Sequence, residues 1–272
     1  MVKRIVTGVV AFLVLIPFLI FSDTWALPIG LSACAVLAVI EITRCVGVHR
    51  RFWITIPLSL LAAATPICVR WFGWVNMVQM AVGATLLLML YMLAATVFSY
   101  GRIALTEVCT AFVLCLYAIM GFSSVVYLHD LSEAGKYLYL LIFIGAWVTD
   151  IFAYFTGMLF GKRKLIPEVS PKKTIAGSVG GTLFCMAAFV AYAFVLFNQG
   201  THWIQYVYFA IIGLATAIVA QVGDLAISVL KRHYGIKDMG KIFPGHGGVM
   251  DRFDSVVAVA TVLAVSFSLL AL

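Results

Sequence analysis

The sequence predicts an all-α polytopic integral membrane protein with about nine transmembrane helices. Of its 272 residues, 64% are hydrophobic and 11% are charged, whereas a soluble domain has about 45–50% apolar and about 25% charged residues. The mean hydropathy of +1.11 points the same way. A soluble globular enzyme is therefore excluded. A disordered chain is excluded as well, because disorder requires low hydrophobicity.

Nine apolar segments can be drawn, each close to the roughly 20 residues that a helix needs to cross a bilayer. They run near residues 5–22, 25–43, 52–69, 74–98, 103–128, 137–160, 175–198, 203–230 and 255–272. Nine spans leave about 90 residues for all loops and termini. We therefore expect a single membrane domain over residues 1–272, without a separate soluble domain.

The basic residues predict the orientation of these spans. With the N-terminus in the cytoplasm, all but two of the 18 Lys and Arg residues fall on the cytoplasmic side, and only Arg70 and Lys136 fall outside. Membrane proteins carry such an excess of Lys and Arg in their cytoplasmic loops. The sequence thus predicts a cytoplasmic N-terminus and an external C-terminus.

Polar residues concentrate in the C-terminal half, residues 136–272. Its cytoplasmic loops, 161–174 and 231–254, hold ten of the 18 basic residues. The first four spans have few polar residues, with Asn76 and Gln79 as exceptions that we assign to hydrogen bonds between helices. We therefore expect residues 1–135 to form a scaffold and the C-terminal half to carry the chemistry.

Carboxylates at or near membrane depth are the candidate metal ligands. Asp150 and Asp224 lie late in the sixth and eighth segments, where a charged group is costly and normally faces a partner or a wet cavity. With Asp251 and Asp254 they supply the oxygen ligands that Mg²⁺ prefers. The six cysteines form no CxxC pair, so neither a zinc site nor a disulfide framework is supported.

Basic and glycine residues around these acids indicate phosphate chemistry. The cations would neutralise a polyphosphate, and the glycines of 177–181 and 245–248 allow close backbone approach to a phosphate. The combination suggests phosphoryl or nucleotidyl transfer, with a lipid as one substrate and a soluble nucleotide as the other. A transporter or scramblase with a cytoplasmic ion site remains an alternative, since transporters also carry intramembrane acids.

The segment 228–254 contains a spaced set of polar and glycine residues. It reads Ser-x-apolar-Lys-Arg, four residues, Lys-Asp, then Pro-x-His-Gly-Gly, two residues, and Asp-Arg-x-Asp. This pattern resembles the signature of the phosphatidate cytidylyltransferases, which are the CDP-diacylglycerol synthases. Residues 150–162 and 170–174 are similar to a second region of that family, whereas the N-terminal half matches only as a set of spans.

One position departs from the family pattern. Members commonly have Glu two residues after Lys-Lys-Thr, whereas this chain has Ala176. If that Glu binds metal or nucleotide, this chain has one ligand fewer. If it only packs a helix start, nothing is lost.

The resemblance implies the reaction of CTP with phosphatidate to give CDP-diacylglycerol and pyrophosphate, with Mg²⁺ as cofactor and a second cation left open. It also implies a homodimer. The compact chain suggests a bacterial cytoplasmic membrane with the active site facing the cytoplasm, and nucleic acid is not an expected partner. A CDP-archaeol-type synthase or a polyprenol-type kinase is the alternative among enzymes.

The site residues that we expect fall into three groups. The catalytic candidates are Asp224, Asp251, Lys231 and Arg252. The substrate-binding candidates are Lys172, Lys173, Ser228, Arg232, Lys237, His246, Gly247 and Gly248. The metal-binding candidates are Asp150, Asp224, Asp251 and Asp254.

Overall fold

The computed structural model describes residues 16–99, 102, 104–197, 202–243, 245 and 247–269. His246 lies outside these residues, and the side chains of Asn76 and Gln79 are not described either. The expectations for these three residues therefore stay predictions.

The described residues are almost entirely helical, which confirms the predicted all-α class. The helices are α1 (Ala26–Val46), α2 (Phe52–Phe72), α3 (Trp74–Phe98), α4 (Leu105–Asp130), the short α5 (Gly135–Leu138), α6 (Leu140–Phe160), α7 (Ile175–Phe197), α8 (Trp203–His233) and α9 (Met250–Ser268). A left-handed residue ends α1: Gly47 has φ 89°, and its N–H is donated to the carbonyl oxygens of Arg44 and Thr43. Glycine adopts this conformation without the steric cost of a side chain.

Seven stretches among the described residues are long and apolar enough to cross a membrane. They correspond to the second through eighth predicted segments. The first segment, 5–22, lies mostly outside the described residues. The ninth, 255–272, is helical in α9 as far as Ser268, but α9 is not one of the seven because its first turn is charged. The count of nine and the orientation stay predictions.

Two boundaries of the predicted loop 231–254 differ in the structure. Helix α8 continues to His233, so that Lys231 and Arg232 lie in its last turn. At the other end, α9 begins at Met250 and already contains Asp251 and Arg252. Both extensions are favourable, because a basic last turn and an acidic first turn complement the helix dipole.

The predicted loop 161–174 contains a β-hairpin, which the purely helical prediction did not include. Strands β1 (Lys164–Ile166) and β2 (Ser170–Thr174) pair antiparallel, with Lys164 opposite Thr174. Pairing satisfies the backbone polar groups of the segment. Strands this short give too weak a sequence pattern to be recognised.

Thr174 connects the hairpin to α7. Its hydroxyl oxygen accepts a hydrogen bond from the Gly177 backbone N–H at 3.1 Å, which is the usual capping contact at a helix start. Ala176 is the second residue of that helix. The start of α7 is therefore capped without an acidic residue at this position.

The chain divides into two compact units. The first comprises the described residues up to Leu131 together with Tyr234–Phe253, and the second comprises Ser132–His233 with the described residues from Asp254 onward. In the first unit, α1, α2 and α4 pack around fully buried side chains, among them Ile42, Ile54 and Leu58. The signature segment from Tyr234 to Phe253 thus belongs to the unit that contains the N-terminal helices.

Small residues set the packing of α6 against α7 in the second unit. Gly177 and Gly181 lie four residues apart on α7. A β-carbon on Gly181 would lie 2.7 Å from the carbonyl oxygen of Thr149, and one on Gly177 would lie 2.5 Å from that of Ala153. Glycines at this spacing let two membrane helices approach closely. This approach fixes the position of α6, which carries Asp150, relative to the hairpin.

Candidate active site

An ion pair lies at the centre of the candidate site in the second unit. The Lys173 ammonium on β2 contacts the Asp224 carboxylate on α8. The two side chains are only 25% and 27% exposed. Lys173 is positioned by the junction of β2 with α7, which Thr174 caps. Asp224 lies in the C-terminal third of α8. The sequence predicted both residues as site residues, and the structure brings them together.

Two further carboxylates lie in the electrostatic range of this pair. The charges of Asp224 and Lys173 act on the carboxyl group of Asp150 on α6, and this group also has a hydrogen bond with the Ser255 side chain. Asp254, which is 8% exposed, is influenced by Asp224, Asp150 and Lys231. We call these five residues the acidic cluster: Asp150, Lys173, Asp224, Lys231 and Asp254.

Burial and like charge act together on Asp254, which lies outside the seven candidate spans. Burial first, and then the negative charge of Asp224, raise the pKa of the Asp254 carboxyl to about 7, against the opposing effects of the Ser255 backbone N–H and Lys231. Such repulsion between carboxylates is relieved by a proton or by a cation. The acidic cluster is therefore suited to attract positive charge.

The donor chemistry of the acidic cluster fits Mg²⁺, which takes carboxylate oxygens together with water and phosphate oxygens. As placed among the described residues, no group of three His, Cys, Asp or Glu side chains is arranged to hold a metal ion. Lys173 instead occupies the position beside Asp224. The Mg²⁺ expectation therefore rests on donor chemistry and stays a prediction.

Asp251 lies in the first unit, where it anchors the loop before α9. Its Oδ2 accepts hydrogen bonds from the backbone N–H groups of Met239 at 2.8 Å and Gly248 at 2.9 Å. Gly247 has φ 86°, and a β-carbon there would lie 2.6 Å from the same Oδ2. Two predicted site glycines and a predicted site acid are thus joined in one turn.

Glu41 is a residue of this turn that the sequence reasoning missed. It is 1% exposed, and its two carboxylate oxygens accept hydrogen bonds from the backbone N–H groups of Val249 and Met250, each at 2.9 Å. The statement that Asn76 and Gln79 are the polar exceptions in the first spans is therefore wrong. The available signal was the acid itself, since a carboxylate in an apolar span is costly without partners.

The remaining predicted residues lie at more open positions. Ser228 is partly buried on α8. Four of the predicted basic residues are exposed, namely Lys172, Arg232, Lys237 and Arg252. The Arg232 Nε lies 3.5 Å from the carbonyl oxygen of Val169, which is at the outer limit for a hydrogen bond. Lys172 and Arg232 belong to the second unit, as do Asp150, Asp224 and Asp254, whereas Lys237 and Arg252 belong to the first.

Comparison with known proteins gives one consistent result. A sequence model described as the cytidylyltransferase family matches residues 2–270. The phosphatidate cytidylyltransferase of Staphylococcus saprophyticus is 33% identical over 267 residues, which are 96% of each chain. That of Bacillus subtilis is 34% identical over 266 residues, which cover 95% of this chain and 94% of the relative.

Proposed function

The chain belongs to the cytidylyltransferase family, and we propose that it transfers the cytidylyl group of CTP to phosphatidate, forming CDP-diacylglycerol and pyrophosphate. The observation that carries this proposal is the similarity, over nearly the whole chain, to relatives named phosphatidate cytidylyltransferase. The acidic cluster and its neighbouring cations support it, because they are the groups that phosphate chemistry requires.

The reaction exchanges one phosphoanhydride bond for another. An oxygen of the phosphatidate phosphate attacks the α-phosphorus of CTP. The new P–O bond forms as the bond to the bridging oxygen of the β-phosphate breaks, and pyrophosphate leaves with that electron pair. A phosphomonoester has its second pKa near about 6, so the nucleophile is largely ionised at neutral pH. The reaction therefore needs no dedicated general base.

The main barrier is the approach of two anions. We propose that Lys172, Lys173, Lys231 and Arg232 bind the phosphates of CTP and of the lipid and so reduce this repulsion. Lys173 is held by Asp224, so its charge is oriented before the substrates arrive. Fixed charges of this kind stabilise a phosphoryl-transfer transition state without having to reorganise.

We propose Mg²⁺ as the cofactor, with Asp150, Asp224 and Asp254 as the residues that would hold it. Their oxygen donors and their mutual repulsion support this assignment. When bound, the ion would supply positive charge to the phosphates. Asp251 stays a predicted ligand as well, although one of its oxygens already accepts two backbone hydrogen bonds.

Several apolar helices and bacterial relatives identify the chain as an integral membrane protein. We propose the bacterial cytoplasmic membrane, with the acidic cluster on the cytoplasmic side. The excess of Lys and Arg in the loops on that side supports this orientation, and CTP is a cytosolic substrate. The homodimer that the family resemblance implies stays a prediction.

An acceptor comparison tests the proposed substrate. Purified protein in detergent, supplied with CTP and Mg²⁺, should release pyrophosphate when phosphatidate is added. It should release far less with an archaeal ether-linked lipid phosphate or a polyprenol, and EDTA should abolish the release. Equal turnover with a prenyl lipid, or pyrophosphate release without any lipid, would contradict the proposed substrate.

A further inference from the structure

A buried carboxylate of α1 is hydrogen-bonded to the start of α9. Glu41 on α1 accepts the N–H groups of Val249 and Met250, which lie 208 and 209 residues later in the chain. Met250 is the first residue of α9, so Glu41 satisfies amide donors that the helix itself leaves unpaired. An acid at a helix N-terminus also complements the helix dipole.

Two glycines of the signature segment make room for this carboxylate. A β-carbon on Gly248 would collide with the Glu41 carboxylate, whose atoms are its three nearest neighbours. A β-carbon on Gly240 would meet the same carboxylate and, at 2.8 Å, the Cα of Gly248. We call the described residues from Met239 to Met250 the clamped loop, and its Gly240 and Gly248 are packed against Glu41.

Two acids hold the clamped loop through four amides. Asp251 accepts from Met239 and Gly248, and Glu41 accepts from Val249 and Met250. All four hydrogen bonds are 2.8–2.9 Å long, which is the usual length for N–H to oxygen. Asp251 directly follows the segment that it anchors, whereas Glu41 ties that segment to a helix about 200 residues earlier in the chain.

We propose that Glu41 is a positioning residue, which fixes the clamped loop and the start of α9 in the arrangement needed for turnover. This inference rests on the proposed function, since the clamped loop lies within the cytidylyltransferase signature. Glu41 acts through the backbone that it holds. Small displacements of positioned groups reduce rates strongly, so the effect belongs in kcat.

Kinetics of Glu41 variants separate positioning from a general contribution to folding. We expect Glu41→Ala to lower kcat at least about tenfold, with KM for CTP within about threefold of wild type. Glu41→Gln keeps one acceptor oxygen and should lie between the two. Thr43→Val is the matched control, because Thr43 is fully buried on the same helix and its hydroxyl donates to the Val39 and Ile40 carbonyl oxygens of that helix.

A double variant tests the geometry itself. Gly248→Ala should lower the unfolding temperature because its new β-carbon meets Glu41. In Glu41→Ala that carboxylate is gone, so adding Gly248→Ala should lower the unfolding temperature much less than it does in the wild-type protein. Independent effects would instead add. Additive effects on the unfolding temperature, or a Glu41→Ala kcat within about twofold of wild type, would overturn the proposal.

Hydrogen exchange gives a readout that does not depend on activity. In wild type, the amides of Val249 and Met250 should exchange slowly, and Glu41→Gln should accelerate their exchange while Thr43→Val does not.

The outcomes of this experiment separate the proposed function from the positioning role of Glu41. If wild type shows no cytidylyl transfer but the exchange of these amides responds to Glu41→Gln, the proposed function fails and the clamp stands. Unchanged exchange in a folded Glu41→Gln variant would contradict the clamp, whatever the activity. If Glu41→Ala does not fold, the kcat and the amide exchange rates of Glu41→Gln are compared with those of wild type instead.

Discussion

Asp224 and Lys173 bring opposite charges together at positions that are only partly exposed. At such positions the interaction is screened less by solvent than at a surface. Removing one partner leaves the other without its counterion, which is costly when the remaining charge is shielded from water. The pair therefore serves to hold one lysine and one acid in place beside two further carboxylates.

Neutralising this acid should stop turnover without unfolding the protein. We expect Asp224→Asn to lower kcat at least about 100-fold, comparable to the loss of a preorganised electrostatic group at other active sites. The reason is that Lys173 loses its orienting partner and the acidic cluster loses a predicted ligand. Turnover is measured as pyrophosphate release from CTP and phosphatidate.

An ion pair elsewhere in the same unit provides the control. Glu133 and Lys136 are 3.5 Å apart, and the Glu133 side chain is almost fully exposed. Exposed pairs contribute little, so Lys136→Met should leave kcat within about twofold of wild type. If Asp224→Asn behaves like this control, the acidic cluster is not the site of the reaction.

All five residues of the acidic cluster were already candidates from their residue types and spacing. Asp150 and Asp224 were recognisable because an acid in an apolar span needs a partner. The same argument applied to Glu41 and would have marked it. Its partners could not have been predicted, because they are backbone amides more than 200 residues away. Every residue except proline has such an amide, so no residue pattern indicates which ones will bind.

At the scale of the elements, the junction of β2 with α7 and the packing of α7 on α6 position the lysine and Asp150. Helical spans follow from apolar length, and seven of the predicted segments coincide with helices able to cross a membrane. The hairpin was not predicted, because its strands have three and five residues and no long period-2 pattern. Helix ends were also displaced, since charged residues continue a helix as readily as they begin a loop.

The contact between α6 and α7 makes a prediction at this scale. Gly181→Ala would place a β-carbon 2.7 Å from the Thr149 carbonyl oxygen, so the helices must separate. We expect a loss of about 1–3 kcal/mol in the free energy of unfolding and a lower turnover, because Asp150 moves with α6. Thermal unfolding in detergent and pyrophosphate release measure the two effects.

Gly83 is the matched control for this substitution. It also lies inside an apolar helix, but a β-carbon there would meet nothing within 4 Å. Gly83→Ala should therefore leave the unfolding temperature unchanged or raise it slightly, since alanine favours the helix. Equal behaviour of the two alanine variants would show that close approach of α6 and α7 is not needed.

At the scale of the whole molecule, composition alone predicts a membrane protein, and the spaced residues of segment 228–254 indicate the family. Composition could not indicate that the part from Tyr234 to Phe253 would join the unit of the N-terminal helices. That arrangement depends on packing between residues far apart in the chain, such as Glu41 with the Val249 and Met250 amides and Phe122 with Phe253. The N-terminal helices thus support the signature, beyond the scaffold role predicted for them.

Cytidylyl transfer to a lipid phosphate can be tested by following the fate of each CTP phosphate. CTP labelled at the α-phosphate or at the γ-phosphate is incubated with purified protein, phosphatidate and Mg²⁺, and the lipid phase is extracted. We predict that α-label enters the lipid while γ-label appears only in pyrophosphate. Entry of γ-label into the lipid would identify a lipid kinase instead. Absence of both labels from the lipid phase, with folded protein, would contradict the account.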